Sequence, residues 1–224
     1  MYKLFIKRFL DIVFSLLLLI LFSPIFIIIV FIIRKDGEKA IFTQYRSGKN
    51  NVPFKIYKFR TMSIKNDVHD FDKEDVMTEF GKKLKNTSLD ELPQLINILK
   101  GDMSFIGPRP WILDYSQFFN QEQMRRLSIR PGLTGLAQCK GRNNISIEEK
   151  INYDIEYVDN VSFINDMKIV FLTIKSLVKK EGTSSSKFTI KSELDELKKQ
   201  SRYKGIKINS KNESVNFVLE REYR

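Results

Sequence analysis

Residues 12–33 read IVFSLLLLILFSPIFIIIVFII, 22 residues without a charged side chain. At a rise of about 1.5 Å per residue they form roughly 33 Å of helix, enough for a bilayer core of about 30 Å. Basic residues flank both ends, with Lys7 and Arg8 before the stretch and Arg34 and Lys35 after it. The stretch is therefore predicted to be a membrane segment at the N-terminal end of this sequence.

Ser23 and Pro24 lie at the middle of this segment. Each half is about 11 residues and about 16 Å long, about half of what spanning requires. Proline removes a backbone donor and kinks the helix, and the Ser23 hydroxyl can satisfy a freed carbonyl. A straight span would place one basic flank outside, against the positive-inside tendency. Two interpretations stay open: a re-entrant helix that turns at Ser23-Pro24, and a straight anchor with a mild kink.

The formal net charge of +11 over 224 residues suits an anionic membrane surface or phosphate-bearing ligands. Nucleic acid is discounted as a partner, because the sequence contains no known nucleic-acid-binding motif. The one cysteine, Cys139, excludes an intramolecular disulfide framework and is interpreted as a packed residue. The one histidine, His69, lies in a charged run, which argues against histidine-based catalysis or a zinc site.

The rest of the chain mixes strand and helix patterns, which predicts an α+β fold class. A hairpin is expected over 40–63, a loop with one possible strand over 129–144, and helices over 89–101, 113–127, 145–160 and 163–180. The apolar face of 163–180 favours a core helix, although an interfacial helix also fits. The predicted organisation is an anchor (1–36), a catalytic domain (37–181) and a charged tail (182–224) with a weak helix and no catalytic role.

Asp90 and Glu91 are adjacent carboxylates in SLDELPQL, residues 88–95. Ser88-x-x-Glu91 fits a capping box, in which Ser88 caps a helix and Glu91 bonds back to its amide. A carboxylate at a helix N-terminus is stabilised by the dipole, so Asp90 is expected to stay anionic. A purely structural cap and a catalytic pair are both compatible with this spacing.

Three loops add cations that suit phosphate oxygens. Arg109 lies between two prolines that fix its backbone, Lys58 and Arg60 would share one side of a strand, and Arg130 precedes a glycine turn. Each loop alone resembles an ordinary surface turn. Together with Asp90 they describe a site for a divalent cation and a diphosphate, because Mg²⁺ prefers one or two carboxylates plus phosphate oxygens. In such a site an aspartate can attack phosphorus.

The longest of these motifs are specific enough to identify a family. The chain resembles the bacterial sugar transferases, the monotopic polyprenyl-phosphate phosphoglycosyl transferases that begin glycan assembly. The resemblance covers about residues 2–180. The motifs that carry it are KRFLDI, Ser23-Pro24, FTQYRSG, FKIYKFRTM, SLDELPQLINILKGDMSFIGPRP, RPGLTGLAQCKGRN and YDIEYVDNVSFINDMKIVFLTI.

The resemblance implies an enzyme that moves a phospho-sugar from a UDP-sugar to polyprenyl (undecaprenyl) phosphate, releases UMP and requires Mg²⁺. Asp90 is then the nucleophile that forms a covalent phospho-sugar intermediate. Glu91 is its dyad partner, and both carboxylates are expected near the metal. The family anchor is a re-entrant helix broken at Ser-Pro. It would hold an α/β catalytic domain, with amphipathic interfacial helices, on the cytoplasmic face of the bacterial inner membrane.

The resemblance also implies a set of substrate-binding residues: Lys58, Arg60, Lys85, Gly107, Pro108, Arg109, Pro110, Gln138 and Arg142. Lys85 departs from the family pattern, which often has arginine five residues before the aspartate, and lysine lacks the bidentate fork. Membrane lipids, downstream glycosyltransferases and a second copy of the chain are the other expected partners. Two alternatives stay open: a metal-dependent phosphatase or nucleotidyl transferase acting on membrane lipids, and a non-enzymatic membrane scaffold.

Overall fold

The fold agrees with the α+β class. The computed structural model describes residues 2–35, 37, 39–62, 77–141, 145–178 and 190–203. The strands are β1 (Ile41–Ser47), β2 (Pro53–Phe59), β3 (Ser104–Ile106) and β4 (Gly132–Thr134). The helices are α1 (Lys7–Leu21), α2 (Ser23–Lys35), α3 (Glu79–Asn86), α4 (Gln94–Lys100), α5 (Leu113–Ser116), α6 (Gln121–Met124), α7 (Leu136–Lys140), α8 (Ile147–Asp159), α9 (Phe163–Val178) and α10 (Ile190–Tyr203).

The apolar N-terminal segment is broken at the predicted position. Pro24 cannot donate to the carbonyl of Ile20 four residues earlier, and the Ser23 hydroxyl donates to that carbonyl instead at 2.8 Å. Within the described chain, no single helix is long and apolar enough to cross a membrane. The α1–α2 pair has sufficient length and composition together, but it is bent by 61°.

The start of α1 is fixed to the rest of the protein by two charged side chains. Arg8 donates to the carbonyl oxygens of Ile98 and Leu99 at 2.6 and 2.8 Å, at the last turn of α4. The buried Asp11 carboxylate accepts from the Phe105 amide of β3 at 3.0 Å. These bonds pair polar groups that would be costly to leave unpaired in the interior. They therefore fix the position of the first turns of α1 against α4 and β3.

The far end of α2 returns to the same body of the protein. Ile29 and Ile33 are buried in a cluster with Phe59 at the end of β2 and Leu84 in α3. The break at Ser23 and Pro24 is exposed. Both outer ends of the bent pair therefore contact one domain, while its bend points away from it.

The structure has two two-stranded sheets among the described residues, one antiparallel and one parallel. β1 and β2 form the predicted antiparallel hairpin, with Ile41 opposite Phe59 and Ser47 opposite Pro53. β3 pairs in parallel with β4. β4 confirms the one strand that was considered possible within residues 129–144. The predicted glycine stop of α4 is also confirmed, since Gly101 has φ +95°, a conformation that glycine adopts without steric cost.

Three predicted helices differ from the structure. The helix expected over 89–101 is a 3-10 turn (Leu89–Glu91) followed by α4 (Gln94–Lys100). Residues 113–127 form α5, α6 and a 3-10 turn (Arg125–Leu127) instead of one helix. Asn120 interrupts the helix because it caps α6 in a capping box with Gln123. The favoured core interpretation of α9 is wrong for much of its apolar face: Ile169 is only 3% exposed, but Phe171 is 67% exposed.

Candidate active site

Asp90 and Glu91 lie on a 3-10 turn (Leu89–Glu91) between α3 and α4. The predicted capping box at Ser88 is wrong, because Ser88 has a left-handed backbone (φ +57°) and its side chain makes no capping bond. The Glu91 carboxylate is consequently not used to close a helix end. It is directed to two cations from other parts of the fold.

Glu91 is held by Lys58 and Arg109. Its Oε1 accepts from Lys58 Nζ, near the end of β2, at 2.7 Å and from Arg109 Nη2, in the loop after β3, at 2.8 Å. Charge-assisted bonds of this kind are the strong ones in proteins. The structure therefore confirms that Lys58 and Arg109 lie beside the carboxylate pair, which the sequence predicted from separate motifs.

The charges of this cluster reinforce one another. Burial opposes ionisation of Glu91, but the Arg109 guanidinium and the Lys58 ammonium outweigh it and hold the Glu91 pKa well below its usual range. The Glu91 charge in turn raises the pKa of Arg109. Glu91 is thus a permanent anion at neutral pH.

Asp90 has the opposite tendency. Burial raises its pKa, Lys58 and Arg109 oppose the rise, and the adjacent Glu91 charge adds to it. The expected anionic state of Asp90 stays a prediction, because burial is the largest influence and opposes it, while Lys58 and Arg109 favour it.

The loop that carries Arg109 is clamped by backbone bonds. The Gly107 amide donates to Thr134 O, and the Gly132 amide donates to Pro108 O, both at 2.9 Å. A Cβ atom at Gly107 would lie 2.5 Å from Arg130 O. The two backbone segments therefore approach more closely than a residue with a side chain would allow. Pro108 and Pro110 are buried on either side of Arg109. These residues shape the loop through their backbone.

Arg126 also supports the loop, and sequence reasoning missed it. Its side chain is 1% exposed and donates through Nη2 to Arg109 O at 2.8 Å and to Asp154 Oδ2 at 2.7 Å. Its guanidinium carbon lies 3.8 Å from the ring centroid of Trp111. A buried arginine needs a carboxylate and is stabilised by a flat aromatic surface. The tryptophan that directly follows the Pro-Arg-Pro sequence is such a surface, and it was the one sequence feature that could have indicated a buried arginine beside this loop.

Three of the predicted phosphate-binding cations lie outside this cluster. Arg130 donates through Nε to Gly101 O at 2.8 Å. Arg60 follows the end of β2 and donates to Lys39 O at 2.9 Å. Lys85 is exposed in the last turn of α3, five residues before Asp90. Their roles in substrate binding stay predictions.

The last two predicted binding residues lie in and after α7. Gln138 donates to Leu133 O at 3.0 Å, and its buried Oε1 has no hydrogen-bond partner within the described part of the chain. Arg142 lies outside the described residues. Both stay predictions.

A magnesium site would rest on the carboxylate pair. Among the described residues, no group of three or more His, Cys, Asp or Glu side chains is arranged to hold a metal. Two carboxylates with substrate phosphate oxygens are nevertheless the usual ligand set of Mg²⁺. The donor chemistry of Asp90 and Glu91 fits that ion if the substrate supplies the remaining oxygens.

Comparisons with known proteins identify the family of this chain. The family model described as bacterial sugar transferase matches residues 2–180. The uncharacterized sugar transferase EpsL of Bacillus subtilis is 42% identical over 180 residues, which cover 79% of this chain and 89% of that protein. The undecaprenyl-phosphate galactose phosphotransferase of Salmonella typhimurium is 38% identical over 204 residues, covering 80% of this chain and 41% of that protein.

A third relative is matched over more of its own length than the Salmonella protein is. The UDP-glucose:undecaprenyl-phosphate glucose-1-phosphate transferase of Caulobacter vibrioides is 38% identical over 185 residues, covering 77% of this chain and 69% of that protein. The family match spans the anchor, the carboxylate pair and the loop of Arg109 in one alignment. The chain belongs to the bacterial sugar transferase family and is a transferase enzyme.

Proposed function

We propose that this enzyme transfers a sugar 1-phosphate from a UDP-sugar to polyprenyl phosphate through a covalent intermediate on Asp90. The single observation that carries the proposal is Glu91, which Lys58 and Arg109 hold beside Asp90. The substrate class follows the names of the relatives, which include undecaprenyl-phosphate acceptors and, for the Caulobacter protein, a UDP-glucose donor.

The reaction has two displacements at one phosphorus atom. An Asp90 oxygen attacks the sugar-bearing phosphorus of the UDP-sugar, the P–O–P bond breaks, and UMP leaves with the bridging oxygen. An oxygen of polyprenyl phosphate then attacks the same phosphorus and breaks its bond to Asp90. The products are polyprenyl-diphospho-sugar and the free carboxylate, as expected for nucleophilic catalysis.

The surrounding residues support these steps electrostatically. The Arg109 side chain is 43% exposed, so its guanidinium can contact a diphosphate while one nitrogen stays bonded to Glu91. The Lys58 ammonium opposes the rise that burial causes in the pKa of Asp90 and so favours its nucleophilic anion. Mg²⁺ bound by Asp90 and Glu91 would neutralise phosphate charge. Fixed cations at the transferred group stabilise the charge that develops on it.

We also propose a membrane position that brings the lipid acceptor to this site. Both outer ends of the α1–α2 pair contact one domain, which supports a re-entrant helix over a straight span. Large apolar side chains are exposed along α1, α2 and α9, including Phe31 and Phe171. Since such side chains favour a lipid interface, α9 would lie along the membrane surface. The domain would then face the cytoplasm, where UDP-sugars are found.

The test is intact-protein mass spectrometry of the detergent-solubilised enzyme, incubated with single UDP-sugars and Mg²⁺ but without lipid acceptor. We expect a mass gain of one phospho-sugar with at least one donor, and its absence in Asp90→Asn. Adding polyprenyl phosphate should discharge the adduct. The matched control is Asp114→Asn, a carboxylate outside the cluster, which should still form the adduct.

Other outcomes separate the alternatives. UMP release only when polyprenyl phosphate is present, with no adduct for any donor, would indicate direct transfer and leave Asp90 as a metal ligand. Release of inorganic phosphate from a lipid would indicate a phosphatase. Activity that survives in Asp90→Asn would overturn the proposed role of Asp90.

A further inference from the structure

Helix α10 lies outside the residues that the family model matches, yet it is packed into the domain. The family match ends at residue 180, and α10 covers Ile190–Tyr203. Leu197 is 1% exposed and belongs to the same core cluster as Ile147 and Ile151 of α8. The buried side chain indicates that α10 is part of the hydrophobic core and not a solvated appendage.

A buried glutamate joins α10 to two other helices. Glu193 accepts through Oε2 from the Tyr115 hydroxyl of α5 at 2.9 Å and through Oε1 from the Lys150 ammonium of α8. Burial and the Glu193 charge both raise the pKa of Tyr115, so its hydroxyl remains a donor. A buried carboxylate with two donors fixes the positions of both partners, because losing either leaves a desolvated group unpaired.

Tyr115 belongs to an aromatic cluster, which we define as Trp111, Tyr115 and Phe119. The Trp111 ring lies 5.1 Å from the Tyr115 ring and 5.8 Å from the Phe119 ring, measured between centroids. Tilted and edge-to-face contacts at these distances are favourable and directional. The position of Tyr115 therefore sets the position of Trp111.

The Trp111 ring also contacts Arg126, which bonds the Arg109 carbonyl. Arg109 in turn bonds Glu91. Each link is a direct contact between buried or partly buried groups. One continuous set of contacts runs from α10 to the carboxylate pair.

We propose that α10 positions Arg109 for catalysis, with Glu193 as a positioning residue that acts through the aromatic cluster and Arg126. The inference rests on the proposed function for its activity measurements. It gives a role in the reaction to a part of the chain outside the family match. A displaced Arg109 would still carry its charge but would meet the phosphoryl group at the wrong place, and small misplacements reduce rates strongly.

The first test is spectroscopic and needs no substrate. Trp111 is the only tryptophan of the chain, so its emission reports this cluster alone. The 224-residue protein in detergent is compared with Glu193→Ala and with Asp195→Ala, an exposed carboxylate on the same helix. We expect Glu193→Ala to shift the emission maximum and raise acrylamide quenching at least twofold, and Asp195→Ala to leave both unchanged.

The second test separates positioning from stability. We expect Glu193→Ala to lower kcat about tenfold with little change in KM, and Glu193→Gln to restore most of it, since the amide still accepts from Tyr115. In an Arg109→Ala background the same Glu193→Ala change should cost less than about twofold, because its target is absent. If Glu193→Ala only destabilised the fold, it would lower activity by the same factor in the wild-type and in the Arg109→Ala protein.

The outcomes are distinguishable from failure of the proposed function. If no UDP-sugar reacts even with the wild-type protein, the proposed function fails, and the fluorescence comparison still decides whether Glu193 sets the environment of Trp111. An unchanged Trp111 spectrum in Glu193→Ala overturns the inference, and so does an equal activity loss with and without Arg109.

Discussion

Replacing Arg126 with methionine is the sharpest test of how Arg126 holds the loop that carries Arg109. Arg126 and Asp154 are 1% and 2% exposed and are joined by bonds of 2.7 and 3.0 Å. Methionine fills much of the arginine volume and removes the charge. Asp154 is then left in the interior without its cation, and the Arg109 carbonyl loses its donor.

The size of the effect follows from this burial. Removing one partner of a buried ion pair costs about 3–5 kcal/mol, because the remaining charge is desolvated and unpaired. For a chain of this size each kcal/mol lowers the melting temperature by about 2–4 °C. Arg126→Met should therefore lower Tm by about 6–20 °C, far more than Arg125→Met, whose exposed side chain forms ion pairs at the surface.

The assay is thermal unfolding in detergent, followed by UMP release at a temperature well below Tm. The double variant Arg126→Met/Asp154→Leu removes both charges, and well-packed apolar replacements of buried ion pairs are often neutral or stabilising. It should recover most of the lost Tm. It should not recover activity, because Arg109 still lacks its support.

Either of two results would refute this reasoning. A single variant with Tm within about 2 °C of wild type would show that Asp154 is not held by Arg126 in a desolvated site. A double variant that regains wild-type activity would show that the bond from Arg126 to Arg109 O is dispensable for catalysis.

The single variant should also respond to pH with a defined sign. Burial already raises the pKa of Asp154, and Arg126 provides the main opposing effect. In Arg126→Met the folded-state pKa rises further above its unfolded value, so folding favours the protonated form. Stability should be greatest at low pH and decline as pH rises through that pKa. We expect a higher Tm at about pH 5.5 than at about pH 8, and the opposite order would contradict this assignment.

Three further outcomes follow from the same geometry. Glu91→Gln should lower transfer about 100-fold while the protein stays folded, because Lys58 and Arg109 lose their shared anion; a kinetic loss below about threefold would contradict this. Pro24→Ala should straighten the α1–α2 bend, and an epitope at the N-terminus should become accessible from outside the cell; unchanged accessibility would argue against Pro24 as the turning point. Gly81→Ala should lower the free energy of unfolding by about 1–3 kcal/mol in denaturant titrations, since a Cβ atom there would lie 2.1 Å from Thr61 O. An unchanged denaturation midpoint would mean that the backbone of α3 can shift.

Sequence patterns predicted the features that depend on neighbours along the chain. The hairpin over 40–63 follows from alternation around a turn, and the end of α4 follows from Gly101, whose φ of +95° disfavours other residues. The helix break follows from Pro24 and a hydroxyl one residue before it. In each case the physical cause acts within a few residues, so the sequence contains it.

Where local patterns competed with packing, the predictions were wrong. Ser88 and Glu91 have the spacing of a capping box, but Glu91 gains more from two cations than from one backbone amide. The face of α9 that includes Phe171 has the periodicity of a core helix, although nothing among the described residues covers it fully. Periodicity shows that a face is apolar, but not what that face contacts.

The sequence by itself determined that a broken apolar anchor precedes an α+β domain, and that carboxylates and cations for a phosphoryl-transfer site are present. The tertiary structure alone decided which of those cations meet the carboxylates. Lys58 lies 33 residues before Glu91 and Arg109 lies 18 residues after it, and Arg60, only two residues from Lys58, bonds a backbone carbonyl elsewhere. Such contacts depend on how β2, the 3-10 turn and the loop after β3 pack together. That packing comes from the summed burial of many side chains, which no short stretch of sequence contains.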